Sequence, residues 1–166
     1  MEPVELIVTV VRVWAGVVML AHGINHARNL DGTAKWFGKV GFKAARAQAQ
    51  ASSFGEVAIA LSLILGFLTT FGAFGLVAVV SVAFWSIHRF AGFFVFARPD
   101  EGYEYVVTLS LAAVMVATVG PGPLSIDALV GIADDLNGWT GLLIAAGGIL
   151  AAAGQLALTW RKPEAA

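Results

Sequence analysis

Five apolar stretches, each long enough to cross a bilayer as a helix, occupy residues 4–22, 54–70, 72–96, 103–119 and 139–160. A hydrocarbon core about 30 Å thick takes roughly 20 helical residues. Nothing in lipid can satisfy an open backbone amide, and the stretches are too long for barrel strands, so each is expected to be a helix. The predicted fold is therefore an all-α transmembrane bundle. It forms a single domain over residues 1–166, with interfacial segments at 30–52 and 124–138. Only 13% of the residues are charged and 58% are hydrophobic, against about 25% charged in soluble domains.

Composition removes several function classes. A net charge of −1 gives no basic field for nucleic acid. The absence of cysteine excludes disulfides, thiolate metal sites and covalently attached c-type haem. Glu2 and Glu5 precede the first stretch with no early Lys or Arg. No convincing small-residue cleavage site follows, so that stretch is read as a retained span.

The basic residues orient the bundle. Arg28, Lys35, Lys39, Lys43, Arg46, Arg98, Arg161 and Lys162 all fall on one side if the chain crosses five times. That side is expected to be cytoplasmic, which puts the N-terminus out and the C-terminus in. The other side receives the tight turn at 69–73 and the acidic loop with Asp127, Asp134 and Asp135. Trp139 and Trp160 bracket the fifth span as interfacial aromatics. Between spans one and two, Trp36, Phe37, Val40 and Phe42 interleave with lysines, the pattern of a helix lying in the headgroup region against anionic lipid. Gly147, Gly148 and Gly154 among alanines let the fifth helix approach a neighbour closely, in this chain or another.

A charged group deep in the bilayer must be paired or hydrated, so the ionisable residues inside the spans are the candidate site. Arg12 lies on a stripe with Thr9, Gly16, Met19 and Gly23. Glu56 opens span two. In span three Ala78, Ser81, Trp85, His88 and Gly92 share a face, with Arg89 beside it, and Glu104 and Tyr105 open span four. Charge balance predicts an internal cluster pairing Arg12 with Glu56 and Arg89 with Glu104, with His22, His88 and Tyr105 close by. Such a cluster either fixes helix register or holds a quinone or a proton relay, because histidine titrates near neutrality. His22 and His26, at i and i+4, read as an interfacial pair rather than metal ligands, and no motif supports haem between helices. No nucleophile with a neighbouring base is recognisable.

Taken together, Arg12, the HG of His22 and Gly23, GTAKWFGKVGF, the GE of Gly55 and Glu56, the His88 region running into Gly92 and Phe93, EGYEY ending at Tyr105, and GPGPLSID from Gly120 to Asp127 resemble the DoxX family of bacterial membrane proteins. The resemblance covers roughly residues 12–130. It implies a four-helix core to which the fifth span is a C-terminal addition. Its motif positions here are Arg12, His22, Glu56, His88, Glu104 and Asp127, with Gly120, Pro121, Gly122 and Ser125 in a structural role. His26 stands where many relatives carry lysine. Relatives include a membrane subunit of a thiosulfate to quinone oxidoreductase and a protein associated with a superoxide dismutase and a sulfurtransferase. The resemblance thus implies an accessory subunit of a redox-linked complex, concerned with quinone, sulfur or oxidative stress, rather than a stand-alone enzyme. Quinone is the candidate cofactor. Membrane lipids and other subunits, or a second copy docking through the fifth helix, are the candidate partners. The competing readings are a scaffold without ligand and, with less polar surface to support it, a small-molecule transporter.

Overall fold

The structure is a computed structural model that describes residues 2–96 and 101–163. Among these residues it contains seven α-helices: α1 (Pro3–Arg28), α2 (Leu30–Val40), α3 (Ala45–Leu65), α4 (Thr69–Ser86), α5 (Glu104–Val119), α6 (Ile126–Leu129) and α7 (Gly138–Thr159). A 3-10 turn (His88–Phe90) follows α4. Helices α1, α4 and α7 are each long and apolar enough to cross a membrane, and α5 is apolar but shorter. Their outward side chains are large and apolar, among them Ile7, Val10 and Trp14 on α1 and Leu143, Leu150 and Leu158 on α7. Apolar surface this extensive belongs against lipid or a partner, not water.

Helix α1 packs along α3, and α4 is central, touching α3, α5 and α7. The α1–α3 pair is antiparallel and close. A side chain at Gly16 would meet the Ala60 carbonyl at 3.0 Å, and one at Gly23 would meet that of Ser53 at 3.0 Å. The stripe predicted from spacing, Thr9, Arg12, Gly16, Met19 and Gly23, is the buried face of α1. Apolar residues of α1, α3, α4, α5 and α7, including Met19, Leu63, Leu76, Val106 and Ala145, make the main core.

Several boundaries differ from those expected. The second helix does not begin at 54: α3 starts at Ala45, because the Ala-rich stretch before Phe54 continues one helix. Its end comes early, at Leu65, where Gly66 and Leu68 take left-handed backbone (φ 64° and 51°) and make the turn expected at 69–73. The third span stops at Ser86 instead of reaching 96. Ile87 leaves helical geometry, and the aromatic run folds back so that Tyr103 and Glu104 amides donate to the Gly92 and Phe93 carbonyls. This break dissolves the expected stripe from Ala78 to Gly92. In the first connection, α2 is the amphipathic helix anticipated, with Asn29 accepting from the Gly32 amide at its start. Only Trp36 of its aromatics faces outward, however. Phe37 and Phe42 are buried with Ala49 in a second small core that also takes Trp160.

The fifth helix is integral to the fold. Gly148 lies against the α4 backbone at Phe74 and Ala78, and Gly141 against the Ala117 carbonyl of α5. Beyond its C-terminus Trp160 forms an antiparallel bridge with Phe42, its indole donates to the Val40 carbonyl at 2.9 Å, and the Lys43 amide donates to the Thr159 carbonyl at 2.7 Å. One end of the bundle thus gathers the C-terminus of α1, α2, the starts of α3 and α5, and the ends of α4 and α7. The α3–α4 turn, the end of α5 and residues 120–137 form the other.

At that second end GPGPLSID does the structural work expected of it. The Ser125 hydroxyl caps α6, accepting from Ala128 N at 3.1 Å. Asp127 is buried, and its carboxylate accepts from Leu68 N at 2.7 Å and Thr69 N at 2.9 Å. A distant loop therefore caps α4, where free amides and the helix dipole favour an anion. Losing a capping oxygen costs about 1–2 kcal/mol. Asp127→Ala should accordingly lower the thermal midpoint of the detergent-solubilised protein, and Asp127→Asn, which keeps one acceptor, should lower it less. Equal midpoints for all three proteins would deny the cap a stabilising role.

Candidate functional site

The expected single ionic cluster is two separate arrangements at opposite ends. Arg12 is fully buried and bonds to backbone. Its Nε donates to the Pro121 carbonyl at 2.9 Å, Nη2 to Leu124 at 2.6 Å, and Nη1 to Ile64 at 3.1 Å and to the Leu63 carbonyl. Leu63 and Ile64 lie in the last turn of α3, whose carbonyls lack helical partners and carry the negative end of the dipole. Arg12 therefore caps α3 and ties it to the GPGP loop, with the charge of Asp127 nearby. A Cβ at Gly66 would overlap the guanidinium and Ser125, so glycine is required there by space as well as by its positive φ.

The predicted Arg12–Glu56 pair does not form. Since Gly16 faces Ala60 and Gly23 faces Ser53, the antiparallel register sets Arg12 opposite Leu63 and Ile64. Glu56 lies about eight residues away, roughly 12 Å along the helix axis. Nor do Arg89 and Glu104 pair. Beyond the break at Ile87, Arg89 turns back over the Trp85 ring (4.6 Å) and the Phe90 ring (4.5 Å). Glu104 instead accepts from the Val95 amide at 3.0 Å, pinning the loop ahead of α5. Among the described residues Glu56 is in contact with His26, and Arg46 forms an ion pair with Asp31.

The other four cluster residues, His22, Glu56, His88 and Tyr105, line one cavity of about 470 Å³ at the end of the bundle that carries α2. Glu56, on α3, is buried. It accepts from the Ser52 hydroxyl at 2.5 Å, one turn earlier, and its Oε2 lies 3.3 Å from His26 Nδ1 on α1. Across the cavity His88, also buried, is held between two oxygens. Its Nδ1 lies 2.6 Å from the Glu101 carbonyl and its Nε2 2.7 Å from the Tyr105 hydroxyl. The helix break at Ile87 permits this, since the 3-10 turn swings His88 inward toward the first turn of α5. Met19, Val80 and Val106 supply apolar wall between the two pairs, and Trp36 and Phe37 of α2 close one side. His22 is exposed at the rim.

Sequence reasoning set His26 aside, yet it is the partner of Glu56. The signals were present as helical spacing: His22 and His26, and Ser52 and Glu56, are each i and i+4 and so share a face. The wall formed by α2 and the Gln155 contribution from α7 had no local signal, because each depends on the chain returning from far away.

The DoxX family model matches residues 7–89, a span containing Arg12, His22, His26, Glu56 and His88. A protein of Haemophilus influenzae described as uncharacterized is 40% identical over 79 residues, which is 45% of this chain and 48% of that protein. The chain thus spans about half the length of that curated relative. No solved structure matches. Family match, apolar helices and exposed apolar side chains agree, and the chain belongs to the DoxX family as a multi-pass membrane protein.

Proposed function

We propose that this chain is the membrane subunit of a redox-linked complex and holds a ring compound of the quinone class in the cavity between His26–Glu56 and His88–Tyr105. The observation that carries the reading is the convergence of two proton-bearing pairs from four elements on one partly apolar cavity of about 470 Å³. A pocket of this size, mostly apolar with a few convergent polar groups, is the usual form of a small-ligand site. Apolar wall suits the ring and its tail, and the polar pairs suit oxygen atoms at its edge. Bound there, such a group would supply electron transfer; the protein would orient it, exclude water and carry protons at Glu56 and Tyr105.

The five-span, single-domain arrangement with the cavity facing the cytoplasm of a bacterium belongs to the same proposal. It is supported by charge: Arg28, Lys35, Lys39, Lys43, Arg46, Arg161 and Lys162 lie at the cavity end, whereas Glu2, Glu5, Asp127, Asp134 and Asp135 lie at the other. Partner subunits, or a second copy, would meet the uncovered face of α7 at Leu143, Leu150 and Leu158.

Ala83 lines the cavity from α4. Ala83→Phe should fill it and weaken binding of a short-chain naphthoquinone to the purified protein at least about tenfold, a loss of about 1.4 kcal/mol, with the melting temperature preserved. Binding unchanged by the filled cavity would refute the site. A scaffold without ligand is the second reading, favoured by the engagement of Arg12 with four backbone carbonyls. It predicts that Ala83→Phe leaves cellular redox tolerance intact.

A further inference from the structure

Resting on the ring-ligand reading, we infer that the cavity selects the hydroxyl-bearing, reduced form of such a ring, because Glu56, Ser52, Ser86 and the His88–Tyr105 pair in its wall offer it lone pairs and no free protons. The accounting follows each hydrogen. Ser86 is buried on the wall, and its hydroxyl donates to the Val82 carbonyl at 2.7 Å. Ser52 donates to Glu56 at 2.5 Å. A carbonyl oxygen can only accept, so the 2.6 Å contact with Glu101 places the His88 proton on Nδ1. In the neutral ring Nε2 is then an acceptor, and the Tyr105 hydroxyl must donate to it at 2.7 Å. Tyr105 is left with oxygen lone pairs to show the cavity.

The opposite wall has the same polarity. Glu56 Oε2 is buried and, among the described residues, makes no hydrogen bond of good geometry, although His26 Nδ1 lies 3.3 Å away. A carboxylate oxygen faces only donors, so Nδ1 of His26 carries a proton, and in the neutral ring its Nε2 is again an acceptor. Among the described residues no Lys or Arg lines the cavity. Among the described residues the free donors are on His22, Asn25, Trp36 and Gln155, which are exposed, and on the half-buried Gln48, whose carbonyl oxygen accepts from Gln155 at 3.0 Å. A dione presents only acceptors and would set oxygen against oxygen at depth. The dihydroxy ring presents two O–H groups, one for Glu56 and one for Tyr105.

Hydrogen bonds to charged groups contribute about 1.5–3 kcal/mol, or roughly ten- to a hundredfold in affinity. The test is equilibrium binding, under anaerobic conditions, of naphthohydroquinone, its dione and its dimethyl ether to the full chain in lipid nanodiscs. The hydroquinone should bind about ten- to a hundredfold more tightly than either other compound. In Glu56→Gln, whose amide can also donate, the gap between hydroquinone and dione should narrow to about threefold. Tyr105→Phe should keep the preference, since it frees His88 Nε2 to accept in place of the phenol oxygen. A dione that binds as tightly as the hydroquinone, or more tightly, overturns the inference and leaves the ring site standing. Failure of all three compounds to bind overturns the ring site and the inference with it.

Discussion

Replacing Arg12 with alanine should nearly abolish the yield of folded, detergent-extractable protein. Four carbonyls now receive four of its five N–H groups, and the Pro121 and Leu124 carbonyls lie in a loop where no helix can re-pair them. Each buried polar group left unsatisfied costs about 1–3 kcal/mol. Two or more such losses, with the loss of the α3 cap, make a sizeable part of a total stability of about 5–15 kcal/mol. Arg12→Lys keeps the charge but cannot present the planar fork, and should give an intermediate yield. Size-exclusion chromatography of the extracted protein, followed by fluorescence, reads both. A monodisperse Arg12→Ala protein with an unchanged midpoint would show that the network does not hold the bundle together.

A second large effect is expected where α7 meets α5. Gly141, Ala145, Gly148 and Ala152 are the buried residues of α7, and their small size lets the backbones approach, the main source of helix attraction in lipid. Gly141 lies against the Ala117 carbonyl, which is part of a helix and cannot swing aside as a flexible side chain would. Gly141→Leu must push α7 away, and overpacking of this kind costs about 1–3 kcal/mol or more. The thermal midpoint should fall by roughly 10 °C. Gly154 sits on the same helix with nothing near its Cβ position, so Gly154→Leu should leave the midpoint unchanged. Equal effects at the two positions would mean that α7 is not held by close contact at Gly141.

These two residues also divide what could be foreseen from what could not. That Arg12 faces protein followed from the cost of a charge in lipid and from its stripe of small neighbours, and its full burial agrees. Its partners did not follow. Charge balance favoured Glu56, but a guanidinium is satisfied as well by carbonyls at a helix end, and charge counting does not register backbone acceptors. Glu56 then met His26, a residue lacking a formal charge in the tally.

Amino-acid order alone settled the matters that depend on local composition and period: that α1, α4 and α7 are apolar enough to cross a membrane, which face of α1 is buried, and that Glu56 and His88 need partners. Tertiary structure decided everything that depends on register between helices. The close α1–α3 contact sets Arg12 a whole level away from Glu56. The break at Ile87, invisible in a continuous apolar run, turns His88 toward Tyr105 and Arg89 away from Glu104. The physical reason is range: hydropathy and helical period act over a few turns, whereas the offset between two packed helices is chosen by glycines and carbonyls that lie dozens of residues apart.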